Sequence, residues 1–208
     1  MDKTTELRQW RRRQIWTNLL SAWAVLIIVA ALIYMILAWA QPDITTIQRA
    51  LKRAVSGIKS DSNWQMFLRI AWHNERAVLI VFVLSLIPVP LLYWLNLVGT
   101  AASIGLVLYV NAGQTRVGML ILAGLVPHGI FEISCFAFAL ALASQLNYYI
   151  RSRTRNWRKR RYDWIGRLPW WPFIRPLLRW YLIIVVPGLL LAAVIESYVT
   201  PWLLTLVR

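Results

Sequence analysis

Two ionisable side chains stand in a stretch of the chain where charge is costly. Between Val117 and Ile150 the only histidine, acidic or basic residues are His128 and Glu132. Four residues apart on a helix, they share one face, one above the other. A buried carboxylate in hydrocarbon must find a partner. A histidine and a carboxylate at this spacing can hold one cation, pass a proton or fix a helix interface by a hydrogen bond. Pro127, just before them, favours a helix start or a kink, and Gly129 allows close approach of another backbone.

A third such residue, Glu196, lies in the last apolar stretch, with Asn74 and Asn111 as polar companions elsewhere. His128, Glu132, Glu196, Asn74 and Asn111 together form the candidate buried polar site. Three histidine or carboxylate ligands suffice for an open zinc site, so His128, Glu132 and Glu196 are the candidate ligands of a divalent metal. A second reading is a proton or substrate pathway through titrating carboxylates. The third is packing alone, with His128 bonded to a carboxylate across a helix interface. All three stay open on residue types and spacing.

The elements that must position these residues are long apolar helices. Leu19 to Ala40 is a first span of 22 residues, too long for a signal-peptide core. It follows a basic segment, residues 1–17, and breaks at Gln41-Pro42. Residues 43–76 form a polar loop. Within it Ile47, Leu51, Ala54, Val55 and Ile58 recur at helical spacing among basic residues, which fits an amphipathic helix at the membrane surface or one packed on the extramembrane ends of the spans. Ala77 to Val110 is 34 residues without a charge, well over one hydrocarbon thickness. Pro88, Pro90 and Gly99 offer breaks, giving two shorter spans or one span and a re-entrant piece. Residues 77–150 therefore hold the central spans, the second run being divided at Pro127.

Residues 151–179 carry ten Lys or Arg against the single acid Asp163, and residues 180–207 hold the last span. Placing both basic segments inside gives five crossings, with the amino end in and the carboxyl end out. Six crossings is the runner-up. The fold expected is a single all-α, polytopic membrane domain in a bacterial or archaeal cytoplasmic membrane.

Composition agrees. The chain has 208 residues, 59% apolar and 15% charged, with 13 Trp. A net charge of +15 in a soluble protein would point to nucleic acid, but here the basic residues flank apolar spans. Anionic lipid headgroups are the expected partner, with Arg158, Lys159, Arg160 and Arg161 as the densest cluster. Cys135 is the only cysteine, which excludes an intramolecular disulfide and a cysteine metal cluster. Gly-x-Ser-x-Gly, His-Glu-x-x-His and Walker motifs are absent from the sequence.

Two longer strings carry a resemblance. Pro127-His128-Gly129-Ile130-Phe131-Glu132 and Ala192-Ala193-Val194-Ile195-Glu196-Ser197-Tyr198-Val199-Thr200-Pro201 resemble segments of the stage II sporulation protein M family of integral membrane proteins. His73-Asn74-Glu75-Arg76-Ala77 and Asn111-Ala112-Gly113 are similar to two more of its segments, with His73 where the family commonly has asparagine and Ala112 where it has glycine. The resemblance runs from about residue 64 to 201. It implies a scaffold or recruiting component in cell-envelope, peptidoglycan-directed remodelling, as in sporulation, with envelope proteins and further copies of the chain as partners. The competing expectation is a small transporter or metal-dependent intramembrane enzyme using the histidine and glutamate cluster.

Overall fold

The computed structural model describes residues 3–49, 62–112, 126–159 and 163–207, and among them no strand occurs. Helix α1 spans Lys3–Ala40, α2 Asn63–Ser85, α3 Leu95–Asn111 and α4 Val126–Lys159. One last helical run contains α5 (Trp170–Trp180), α6 (Val186–Val194) and α7 (Thr200–Val207). Among the described residues, four helical stretches are long and apolar enough to cross a membrane: Thr5–Ala40, Leu92–Asn111, Val126–Trp157 and Trp170–Leu203. The chain is an all-α polytopic membrane protein.

Local chemistry sets the ends. Gln41 adopts a left-handed conformation (φ 45) and donates its backbone N–H to Leu37, and Pro42 cannot continue the helix, so α1 stops there. Asp43 accepts from the backbone of Thr45 at 3.0 Å as residues 44–49 turn into a helix. The remainder of the expected amphipathic segment, with Leu51, Ala54, Val55 and Ile58, lies outside the described residues. So does the leading part of the Val117–Ile150 run.

Helix α2 begins ahead of the Ala77 boundary drawn from the sequence. The Ser62 side chain accepts from Gln65 N and starts the helix at Asn63. His73, Asn74 and Glu75 therefore sit within a 23-residue helix, not in a polar loop before it. The break in the long apolar run comes at Pro88 and Pro90, where Leu91 turns left-handed (φ 64) ahead of the short 3-10 turn Leu92–Trp94. Gly99 makes no break and stays inside α3. The amide of Asn147 covers the carbonyls bared by this break, donating to Ser85 (3.0 Å), Ile87 (2.7 Å) and Val89 (3.3 Å).

Helix α4 is the axis of the bundle. It is buried almost continuously from Phe136 to Tyr149, largely by alanines and leucines, and packs against α1, α2 and α6. Gly105 of α3 is pressed on α1, where a Cβ would overlap the Ala30 carbonyl. At one end of the bundle, Arg11 donates to the Phe173 carbonyl at 2.8 Å and its guanidinium covers that ring at 4.7 Å. Tyr149 stacks on the same ring at 4.3 Å. The start of α1, the late part of α4 and the start of α5 thus meet.

The last run winds loosely twice, in π turns at Tyr181–Val185 and Ile195–Val199. Each is followed by proline. Pro187 and Pro201 have no N–H and would strike the carbonyls of Ile183 and Ser197 in a regular α-helix. The residue before each proline instead bonds five back, Val186 to Tyr181 and Thr200 to Ile195, which makes the room.

Candidate functional site

The start of α4 brings His128 inward, and burial leaves it 8% exposed. Pro127 occupies the first turn, where a missing N–H is harmless, so the helix starts just before the histidine. Glu132 follows one turn on. Opposite them, the second π turn presents Glu196, and Thr200 stands four residues later on the same run. His128 Nε2 lies 4.0 Å from Glu196 Oε2, and its Nδ1 lies 3.5 Å from the Thr200 hydroxyl. One ligand atom from each of His128, Glu132 and Glu196 falls within 4.8 Å of the others. The structure thus gathers these three residues from α4 and the last run into one cluster.

Asn74 joins it from α2 through a cavity. His73, Asn74, Asn96, Thr100 and Glu132 supply the polar lining of a space of about 70 Å³, walled by apolar side chains from α1, α4 and α6. Asn96 donates to the Ala77 carbonyl at 3.0 Å and Thr100 to the Asn96 carbonyl at 3.1 Å. Asn74 is buried, and its Nδ2 has no hydrogen-bond partner among the described residues. Asn111 is not part of this site. It ends α3, about 22 Å along the helix from Asn96, and donates to the Val107 carbonyl at 2.8 Å.

Glu75 takes a separate partner: the Tyr181 hydroxyl donates to its Oε2 at 2.6 Å, and its buried Oε1 has no bond among the described residues. Close helix approach occurs at Gly188, where a Cβ would overlap the Cys135 sulfur, and at Ala192 and Ala193, both fully buried. Gly129, expected to allow such an approach, has no atom of the described residues within 4 Å of its missing side chain. The headgroup cluster cannot be placed: Arg160 and Arg161 and the side chains of Arg158 and Lys159 lie outside the described residues.

Thr200, Thr100, Tyr181 and Asn147 were not singled out from the sequence. For Thr200 a signal was there, since it repeats at Glu196 plus four the spacing of His128 and Glu132. Chemically, the cluster offers an imidazole nitrogen and two carboxylates beside a small polar space, a set that suits a cation or a shared proton. The family model for Stage II sporulation protein M matches residues 23–201, which takes in every residue of the cluster and of the cavity. Neither a curated protein nor a solved structure matches the chain.

Proposed function

Because the chain belongs to the stage II sporulation protein M family, we propose that it is a scaffold or recruiting component of cell-envelope remodelling in the cytoplasmic membrane. The family match over residues 23–201 carries this reading. The interior supports it: α4 is packed tightly from Phe136 to Tyr149, and a cavity of about 70 Å³ holds only about five to seven waters. Exposed Trp16 and Trp39 stand about 34 Å apart along α1, close to the spacing of two headgroup belts. The end with Trp16 also carries Arg11, Arg151, Arg153 and Arg155, and it faces the cytoplasm in this reading. Anionic lipid headgroups are the partner this reading gives to the basic residues of 151–179.

The test is purification of the full chain from mildly solubilised membranes after brief crosslinking. Peptidoglycan-acting proteins, and further copies of the chain, should be enriched over an untagged control. Recovery of neither would overturn the recruiting role. Cysteine placed at Arg155 and at Leu206 should label from opposite sides of the membrane; labelling from one side rejects the five-crossing arrangement.

One observation favours a second reading, a small transporter or metal-dependent intramembrane enzyme: three ionisable side chains converge inside the bundle. Single polar contacts between membrane helices contribute only about 1 kcal/mol, so packing alone is a weak reason to gather three there, one buried and two half-buried. Vesicles reconstituted with the protein should then show a cation or proton flux that Glu132→Gln abolishes, or turnover lost on chelation. Neither effect would leave the recruiting role alone.

A further inference from the structure

Glu132 belongs to two places at once. Its carboxylate gathers with His128 and Glu196, and it also lines the cavity between α2, α3 and α4. Across that cavity Asn74 is 6% exposed, and its Nδ2 donates to no acceptor among the described residues. An amide donor buried without an acceptor is costly, and two carboxylates held this close repel unless positive charge lies between them. One occupant answers both problems: a cation at the carboxylates whose bound water fills the cavity.

We propose that His128, Glu132 and Glu196 hold a divalent transition cation of the zinc class, and that its water accepts a hydrogen bond from Asn74. An imidazole in the set argues against magnesium and calcium, which take oxygen ligands. The 4.0 Å between His128 Nε2 and Glu196 Oε2 is too long for a hydrogen bond. Two ligands about 2.1 Å from a tetrahedral ion stand about 3.4 Å apart, so small side-chain rotations close the site. The Thr200 hydroxyl, 3.5 Å from Nδ1, is where an outer partner orients a ligating imidazole. Three protein ligands leave a coordination position for water, and the polar space beside Glu132 has room for it. The inference rests on this geometry and not on the recruiting role, so metal content and partner recovery can fail separately.

Full-length protein without an affinity tag, stripped by chelator in detergent, is titrated with zinc chloride, and retained metal is counted after desalting. One zinc per chain is expected, with manganese weaker and magnesium not retained. His128→Ala and Glu196→Gln should each weaken zinc binding about 100-fold or more, and Asn74→Leu about tenfold, the size of an outer-shell loss. Cys135→Ser should leave it unchanged. Wild-type protein retaining zinc in fewer than about one chain in ten overturns the proposal, as does a stoichiometric site that survives His128→Ala. Should His128→Ala fail to fold, the isosteric Glu132→Gln decides the matter, checked for helix content by circular dichroism. Unchanged affinity in Asn74→Leu overturns the role given to the cavity.

Discussion

The hydroxyl of Tyr181 and the carboxylate of Glu75 meet at 2.6 Å, and this contact ties α2 to the first π turn of the last run. The tie depends on Pro187. A π turn inserts one residue and rotates the preceding helix face by about 100°, so the proline six residues on helps to decide which side chain faces α2. Removing the hydroxyl with Tyr181→Phe should lower stability in detergent by about 1–2 kcal/mol, while Glu75→Gln, still an acceptor, should cost less. In a double-mutant cycle on thermal unfolding the two changes should be strongly non-additive. Simple additivity would show that the pair does not act as one contact.

Asn147 makes the second such tie. Its single amide serves three carbonyls in the segment broken by Pro88 and Pro90. Ser85 and Asn147 are fully buried, so Asn147→Leu should destabilise by about 2–3 kcal/mol. Asn147→Asp separates bonding from shape, since a carboxylate matches the size of the amide but cannot donate. It should be at least as damaging as leucine. If Asn147→Asp instead unfolds like the wild type, in titration with a denaturing detergent, the capping role is wrong.

Much of this architecture could be read from the sequence because long apolar runs bounded by charge have one solution in a membrane, the helix. The joining of His128, Glu132 and Glu196 could also be anticipated, since ionisable side chains in hydrocarbon converge on each other. The start of α2 could not: Arg69, Glu75 and Arg76 make residues 63–76 look like a loop, yet the Ser62 cap and burial of Ala71 and Asn74 carry the helix through them. The Tyr181–Glu75 contact was hidden because two π turns throw the 3.6-residue period out of register. Asn111 was grouped with the site on residue type alone, and type says nothing of depth along a helix.

The crossing of α4 and α6 makes a steric prediction. Gly188→Ala places a methyl group into the Cys135 sulfur, an overlap that should cost about 1–3 kcal/mol. Cys135→Ala removes the sulfur and leaves the Cys135 Cβ 3.7 Å from the new methyl, an ordinary contact. Thermal unfolding should therefore show Cys135→Ala rescuing Gly188→Ala. Gly129→Ala, with none of the described residues within 4 Å of the added methyl, should be neutral or slightly stabilising through helix propensity. A Gly188→Ala protein that melts like the wild type would mean the two helices do not approach as closely as described.

The last prediction concerns the turn between α4 and α5, at the end of the bundle where Arg11 meets Phe173. Asp163 fastens this turn to α4: its Oδ2 accepts from Ser152 at 2.6 Å, Arg155 at 2.9 Å and Tyr148 at 3.3 Å, and its Oδ1 from Ile165 N at 3.1 Å. Burial works against the charged carboxylate, but the bonds from Ser152, Ile165, Arg155 and Tyr148 outweigh it and hold the group below its ordinary 3.8. A carboxylate with a depressed pKa adds stability that is complete above the unfolded value and is lost as pH falls through the folded one. Asp163→Asn should therefore unfold at a lower temperature than the wild type at pH 7, corresponding to about 1–3 kcal/mol. The gap should hold down to about pH 5 and shrink as the pH falls below 3.8. Measuring both proteins across this range cancels the titration of every other group. A gap that is the same at pH 3 as at pH 7 would show that the amide's shape, and not the carboxylate's charge, is what the turn has lost.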